Sequence, residues 1–410
     1  MPLAADLRSL VTAVESRTPA HRDRAVDGLR ALALLSVPAG HWLVGGFTLD
    51  DAGALHNASP LAALGALAPA SWVFQLLGIF FLVGGYSAAL SLRRATERGT
   101  AARTWLRGRL VRLGRPVLGV TAGWAALLPL LSVAGVPAAT LRTASVLVVQ
   151  PLWFVGVYAV ITALTPHALR AAERAGLWSA LPLLLSVAVV DALRYGPYAD
   201  AMPSWLPLLN LLPGWLFGYQ LGLVWGVGRL GRRAAAWLLL GGGLALFVTL
   251  LTVFGYPASM VGVPGEARTN SHPPSLLVLA LAAAQSGVAV LARERLAALL
   301  ARPALWAPVV VINLSAMTIL CWHQSAMLAA AIPAAALHGD AAVAGLTADP
   351  TSFGWVAARL AWLPLFAVLL IGIGALTRRF EQPWTGASTG GRILAGALAG
   401  AFSLYAFAVV

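Results

Sequence analysis

The residues best equipped for chemistry in this chain are set among apolar ones. Asp27-Gly28-Leu29-Arg30 is followed by ten residues without charge, Ala31 to Gly40, and then by His41. On a helix, eleven residues at ~100° each turn through roughly 1100°, about 20° beyond three full turns, and rise about 16 Å. Arg30 and His41 therefore share one face, the first near its start and the second deep along it. A fixed cation at a mouth and an imidazole further in suit a substrate path between helices, because imidazole exchanges protons near neutral pH. The same spacing is met equally by a helix-start ion pair of Asp27 with Arg30 and a histidine that fills a packing hydrogen bond.

Other candidates lie far off in sequence. His323, in Cys321-Trp322-His323-Gln324, shares an apolar stretch with Asn313, at a depth comparable with that of His41. His272, in Asn270-Ser271-His272-Pro273-Pro274, belongs to a loop and is placed to contact an acceptor. The stretch from Arg103 to Pro116 is the densest run of charge. Arginine forks match phosphate oxygens, and the same run also serves membrane topology and anionic head groups. Arg112 and Arg115, nearest the membrane edge, are its candidates for ligand contact. Glu381 follows Arg378-Arg379-Phe380 and is positioned to neutralise them.

All 28 basic residues are arginine, which excludes a P-loop lysine and a Schiff-base lysine. The single cysteine, Cys321, excludes a disulfide framework and a multi-cysteine metal site. No zinc-protease, nucleophile-elbow, P-loop or aspartate-rich pattern occurs. Neither a metal nor a tightly bound cofactor is expected.

The elements that position these residues must be membrane helices. Of 410 residues, 59% are hydrophobic and 10% charged, which is no soluble composition. Stretches of about 20 apolar residues, enough to cross a bilayer, are read at 26–47, 70–92, 113–133, 144–165, 177–192, 204–226, 234–254, 275–292, 306–333, 355–376 and 391–410. Arginines mark one side. They are those before residue 25, Arg93 to Arg115, Arg170 and Arg174, Arg229 to Arg233, Arg293 to Arg302, and Arg378 to Arg392, whereas Arg142, Arg194 and Arg268 alone fall opposite. By the positive-inside rule the N-terminus is cytoplasmic, and the net charge of +13 is a topological address, with no bearing on nucleic acid. Arg30 and Arg359 remain at or within spans. The fold expected is an all-α polytopic bundle of about eleven helices. Residues 1–21 form a surface segment with a short amphipathic helix, 22–390 a membrane domain and 391–410 an additional helix.

The run from Arg24 to Ala33, followed by His41, resembles the opening of membrane acyltransferases of family 3, whose signature is an arginine, ten residues and a histidine. Phe80 to Tyr86, Arg109 to Pro116, Pro151-Leu152-Trp153-Phe154, Leu320 to Gln324 and Phe380 to Pro383 resemble further elements of that family, in order, across residues 22–385. Gly84 departs from it, standing where the family has serine. The resemblance implies a ten-helix core and an integral membrane O-acyltransferase. Such an enzyme passes an acetyl or other short acyl group from acyl-CoA to a hydroxyl of a glycan, lipid or natural product. On that reading His41 is the general base and His323 or Asn313 stabilises the oxyanion. Arg30, Arg112 and Arg115 bind CoA phosphates, Asp27 orients Arg30, and Glu381 is carried over. Arg30, His41 and His323 are expected to line one cavity opening toward the arginine-rich loop. A route through acyl-histidine and a carrier or flippase without covalent chemistry are the alternatives. High arginine, alanine and glycine suggest a GC-rich bacterium and its cell membrane.

Overall fold

The computed structural model describes residues 9, 11–197, 199–263, 268–338, 342–381 and 388–409. Helices dominate, as they must where hydrocarbon offers the backbone no hydrogen-bond partner. In chain order they are α1 (Arg24–Val44), α2 (Leu77–Glu97), α3 (Ala102–Val133), α4 (Ala138–Val149), α5 (Trp153–Ala175), α6 (Leu181–Tyr195) and α7 (Leu211–Gly226). There follow α8 (Arg233–Thr252), α9 (Leu276–Leu299), α10 (Pro303–Leu314), α11 (Ala316–His338), α12 (Phe353–Glu381) and α13 (Thr389–Val409). Residues 11–16 form the short helix expected ahead of them.

Among the described residues, 8 helical stretches are long and apolar enough to cross a membrane. α1 and α7 are not among them. α1 is diluted by Asp27, Arg30 and His41, and α7 is only 16 residues long. Both are nevertheless at the centre: α7 is buried from Gly214 to Trp225 apart from Leu216. The stretch 306–333, expected as one span, is two helices broken at Ser315. At 144–165 a single turn of tighter helix, Gln150–Leu152, interrupts the span where Pro151 supplies no N–H.

Glycines bring α2 and α7 together. A Cβ at Gly85 would overlap the backbone of Tyr219, and one at Gly222 would overlap that of Leu82. Small residues spaced by four let two membrane helices touch along their backbones. This contact fixes α2, and with it Phe80, Tyr86 and Ser87. Two apolar cores result. One gathers Phe81, Phe154, Trp215 and Leu223; the other gathers Trp42, Phe47, Trp124, Trp322 and Phe366. α1 and α11 contribute to both, so they form the seam between them. The peripheral α3, α8, α12 and α13 expose Val133, Leu238, Ile371 and Phe407, as lipid-facing helices do.

One element departs from the all-helical expectation. Directly after α1 the chain forms an antiparallel hairpin of β1 (Gly46–Leu49) and β2 (Leu55–Ala58), with Gly46 opposite Ala58 and Leu49 opposite Leu55. Gly53, at φ 73°, makes the turn. Asp50 accepts hydrogen bonds from Ala52 N and Ala54 N and lies 2.8 Å from His56 Nε2. The contact with His56 holds the exposed Asp50 carboxyl below its usual range.

Candidate active site

The first turn of α1 builds a basic cavity. Asp23 caps the helix by accepting from Val26 N at 3.2 Å, and its Oδ2 also receives Arg293 Nη2 at 2.8 Å. Burial pushes this carboxyl up, but the hydrogen bonds from Arg293, Val26 and Tyr86 together with the charge of Arg293 outweigh it and hold Asp23 below the usual range. Asp27, itself buried, is gripped by the fork of Arg22 and lies 3.4 Å from Arg30 Nη1. The other arm of Arg30 donates to Ser87 Oγ on α2 at 2.5 Å. Asn313, at the end of α10, donates to the Asp27 carbonyl at 2.9 Å, so the break at Ser315 ties α10 to α1.

The cavity these residues enclose has a volume of 1220 Å³, and seven arginines line it against Asp23 and Asp27: Arg22, Arg24, Arg30, Arg94, Arg109, Arg112 and Arg293. Arg109 stacks over the Trp105 ring at 4.7 Å. Its Nε is buried without a hydrogen-bond partner among the described residues. Such an excess of guanidinium groups around a polar void selects for phosphate-like anions.

A second chamber of 420 Å³ lies further along α1. His41 and Gln324 line it with Gln75, Asn57, Ser59, Trp153 and His272. Among the described residues no carboxylate and no arginine borders it: amides, hydroxyls, imidazoles and aromatic rings do. His272 meets Trp153 edge-on, with centroids 4.8 Å apart. Burial pushes the His272 imidazole below its usual value. Between the chambers Leu34, Val37, Leu77, Phe80, Phe154 and Leu320 leave a throat with 10 Å³ of free space.

His41 and His323 do meet, with ring centroids 5.0 Å apart. Gln324 Nε2 is 3.1 Å from His41 Nδ1. His323 Nδ1 lies 2.9 Å from the Leu320 carbonyl and 3.1 Å from that of Ile319. A carbonyl only accepts, so Nδ1 carries the proton and Nε2 keeps the lone pair. That Nε2 is buried and has no partner among the described residues. His323 therefore offers an acceptor, not a donor, and it stands behind His41 rather than on the chamber wall.

The pair is clamped from the side. Arg359, fully buried on α12, donates to the carbonyls of Trp42 (2.6 Å), Gly345 (2.9 Å) and Gly45 (2.5 Å). Its guanidinium also lies 4.9 Å from the Phe366 ring centroid. It thus satisfies the orphan carbonyls at the C-terminus of α1, where a cation is favoured, in the turn that carries His41.

The expected single cavity is in fact two chambers. Asp27, Arg30, Arg112 and Asn313 border the basic one, and His41 borders the other, so Asn313 is not beside His41. Arg115 lines neither. Glu381 ends α12, and its side chain lies outside the described residues. Arg109, Trp42 and His272 with Trp153 gain their places only through packing, which spacing along the chain does not report. Gly84 also acquires a reason: a Cβ there would stand 2.9 Å from the Tyr158 hydroxyl.

A model of the acyltransferase family 3 domain, described as "Acyltransferase domain", matches residues 23–339. Searches of curated proteins and of solved structures each returned no significant match.

Proposed function

The chain belongs to acyltransferase family 3, and from that membership and its two-chamber site we propose an integral membrane O-acyltransferase that uses acyl-CoA. The observation that carries this reading is the position of Arg30 and His41 on one face of α1, one in each chamber, with a throat between. In it the CoA phosphates rest on Arg30, Arg109 and Arg112, and the pantetheine arm runs through the throat. The thioester carbonyl then lies beside His41, and a hydroxyl acceptor enters the second chamber from the other side. The amides, hydroxyls and aromatic rings that line it fit a neutral polyol, such as a glycan, or a natural-product hydroxyl.

A hydroxyl is a weak nucleophile, so a base must take its proton as it attacks. For His41 to be that base, Nδ1 donates to the Gln324 side-chain oxygen and Nε2 keeps its lone pair. A half-turn of the Gln324 amide provides this, and it satisfies Gln324 Oε1, which otherwise has no partner among the described residues. The acceptor oxygen bonds to the acyl carbon, the C–S bond breaks, and the proton taken by His41 passes to the CoA thiolate. His323 Nε2 supports the transient imidazolium.

In this reading the chain has about eleven spans, with its N-terminus in the cytoplasm of a bacterium, so donor and basic cavity share the cytoplasmic side. The test is whether purified protein in lipid nanodiscs moves a radiolabelled acyl group from acetyl-CoA to a hydroxyl acceptor, with CoA released in step. Solute movement across vesicles without CoA binding would overturn the reading in favour of a carrier.

A further inference from the structure

The throat between the chambers is the narrowest part of the path and the part with the fewest polar atoms. Leu34, Phe80, Phe154 and Leu320 border the basic cavity as well as the throat, and Val37, Leu77, Phe154 and Leu320 border the histidine chamber as well. Among the described residues, these six side chains lie between a donor anchored by the arginines and His41. Their 10 Å³ of free space is about that of one water-sized probe.

One wall of the throat is braced. Phe80 meets Phe154 edge-on at 5.0 Å and Tyr158 at 5.7 Å, and Phe81 behind them stacks on Trp215 at 5.4 Å. The opposite wall is Leu34 on α1 and Leu320 on α11, both almost fully buried. Just beyond it, the Trp42–His323 and Gln324–His41 contacts, 2.9 and 3.1 Å, hold those two helices together. The gap is too small for any chain, so its walls part to admit a donor, and in a close-packed interior each added carbon at one level costs further displacement.

We propose that this throat selects the acyl group by its cross-section. It passes unbranched chains and rejects donors branched or ring-bearing next to the thioester carbonyl. The proposal rests on the acyltransferase reading above. The S–CH2–CH2 end of the pantetheine arm, which follows the acyl group into the throat, is a single file of atoms, and an unbranched acyl chain is no wider. A methyl branch beside the carbonyl puts a second carbon at the same level, and the walls must then part further. Leu320 and Leu34 set the gap opposite the aromatic wall, and Val37 narrows its exit toward His41.

The test compares kcat/KM for acetyl-, n-butyryl-, isobutyryl- and benzoyl-CoA, with CoA release followed in nanodiscs and methyl glucoside and water as acceptors. The wild type is expected to prefer n-butyryl to isobutyryl by about tenfold or more, as one misplaced methyl group in an apolar site commonly costs. Leu320→Ala and Leu34→Ala each bring that ratio toward one and raise use of benzoyl-CoA. Val37→Phe acts in the opposite sense, lowering n-butyryl turnover relative to acetyl. Ratios that stay within about twofold of wild type in all three variants, each still turning over acetyl-CoA, overturn the selector and leave the acyltransferase reading intact. A wild type that releases no CoA from any of the four donors overturns both.

Discussion

The indole Nε1 of Trp42 donates to the backbone carbonyl of His323 at 2.9 Å, so the residue following one histidine grips the other. The distance between the two imidazoles is thereby set by backbone and indole rather than by contact of the rings alone. Trp42→Phe keeps an aromatic ring and removes the bond. One hydrogen bond of about 1 kcal/mol corresponds to a loss of roughly fivefold in rate. The expected outcome is a kcat reduced by about that factor with KM for acyl-CoA unchanged, read by steady-state kinetics.

Arg359 bonds the carbonyl of the same Trp42 at 2.6 Å from a fully buried position. Arg359→Ala leaves the carbonyls of Trp42, Gly45 and Gly345 without this donor, at about 1–3 kcal/mol for each group left unsatisfied. A marked fall in the thermal midpoint in detergent is expected. Arg359→Lys, which has no planar fork, restores only part of it. A midpoint unchanged in Arg359→Ala would show that the clamp contributes nothing.

Arginines divide by position, even Arg109 and Arg115 of one sequence run. Arg30 and Arg109 border the basic cavity and Arg115 does not. Arg30→Gln and Arg109→Gln are each expected to raise KM for acetyl-CoA by about tenfold, since a charge-assisted bond is worth about 1.5–3 kcal/mol. Arg115→Gln leaves KM within about twofold, as surface substitutions generally do. Equal effects at all three positions would place the CoA phosphates elsewhere.

His272 supplies a pH dependence whose sign is fixed. Burial lowers its folded pKa below the ordinary value of about 6.5. The unfolded chain therefore takes up a proton that the folded loop refuses. Stability is full above pH ~6.5 and declines as the pH falls from there through the lowered folded value. His272→Phe keeps an aromatic contact with Trp153 and removes this contribution. The thermal midpoint of the variant is expected to fall less between pH 7 and 5 than that of the wild type.

Much of this arrangement was legible in the residues. Arg30 and His41 share a face because helical geometry makes them, but the arginine-rich stretch expected as a loop, Arg103 to Arg115, is the first half of α3. His323 was found through the cost of burying an imidazole in an apolar stretch. The division into two chambers was not legible, because the throat is made by Phe80, Phe154 and Leu320 from three helices whose register only packing fixes. The break at Ser315 has no proline or glycine at that point to announce it. Arg359 stood out as a charge within a span, but its use as a cap on the α1 terminus depends on the Gly345 turn and on where α12 crosses α1. The hairpin after α1 is only four residues per strand, too short for alternation to register against its apolar neighbours.

The central claim is that His41 removes the proton of the accepting hydroxyl. Its most direct test is single-turnover transfer from radiolabelled acetyl-CoA with His41→Ala and His41→Gln beside the wild type, with CoA binding measured on the same preparations. The account predicts transfer slowed by about 10²–10⁴-fold, the usual contribution of a positioned base, while CoA still binds, because the arginines that hold it lie in the other chamber. Transfer at the wild-type rate in either variant would contradict it.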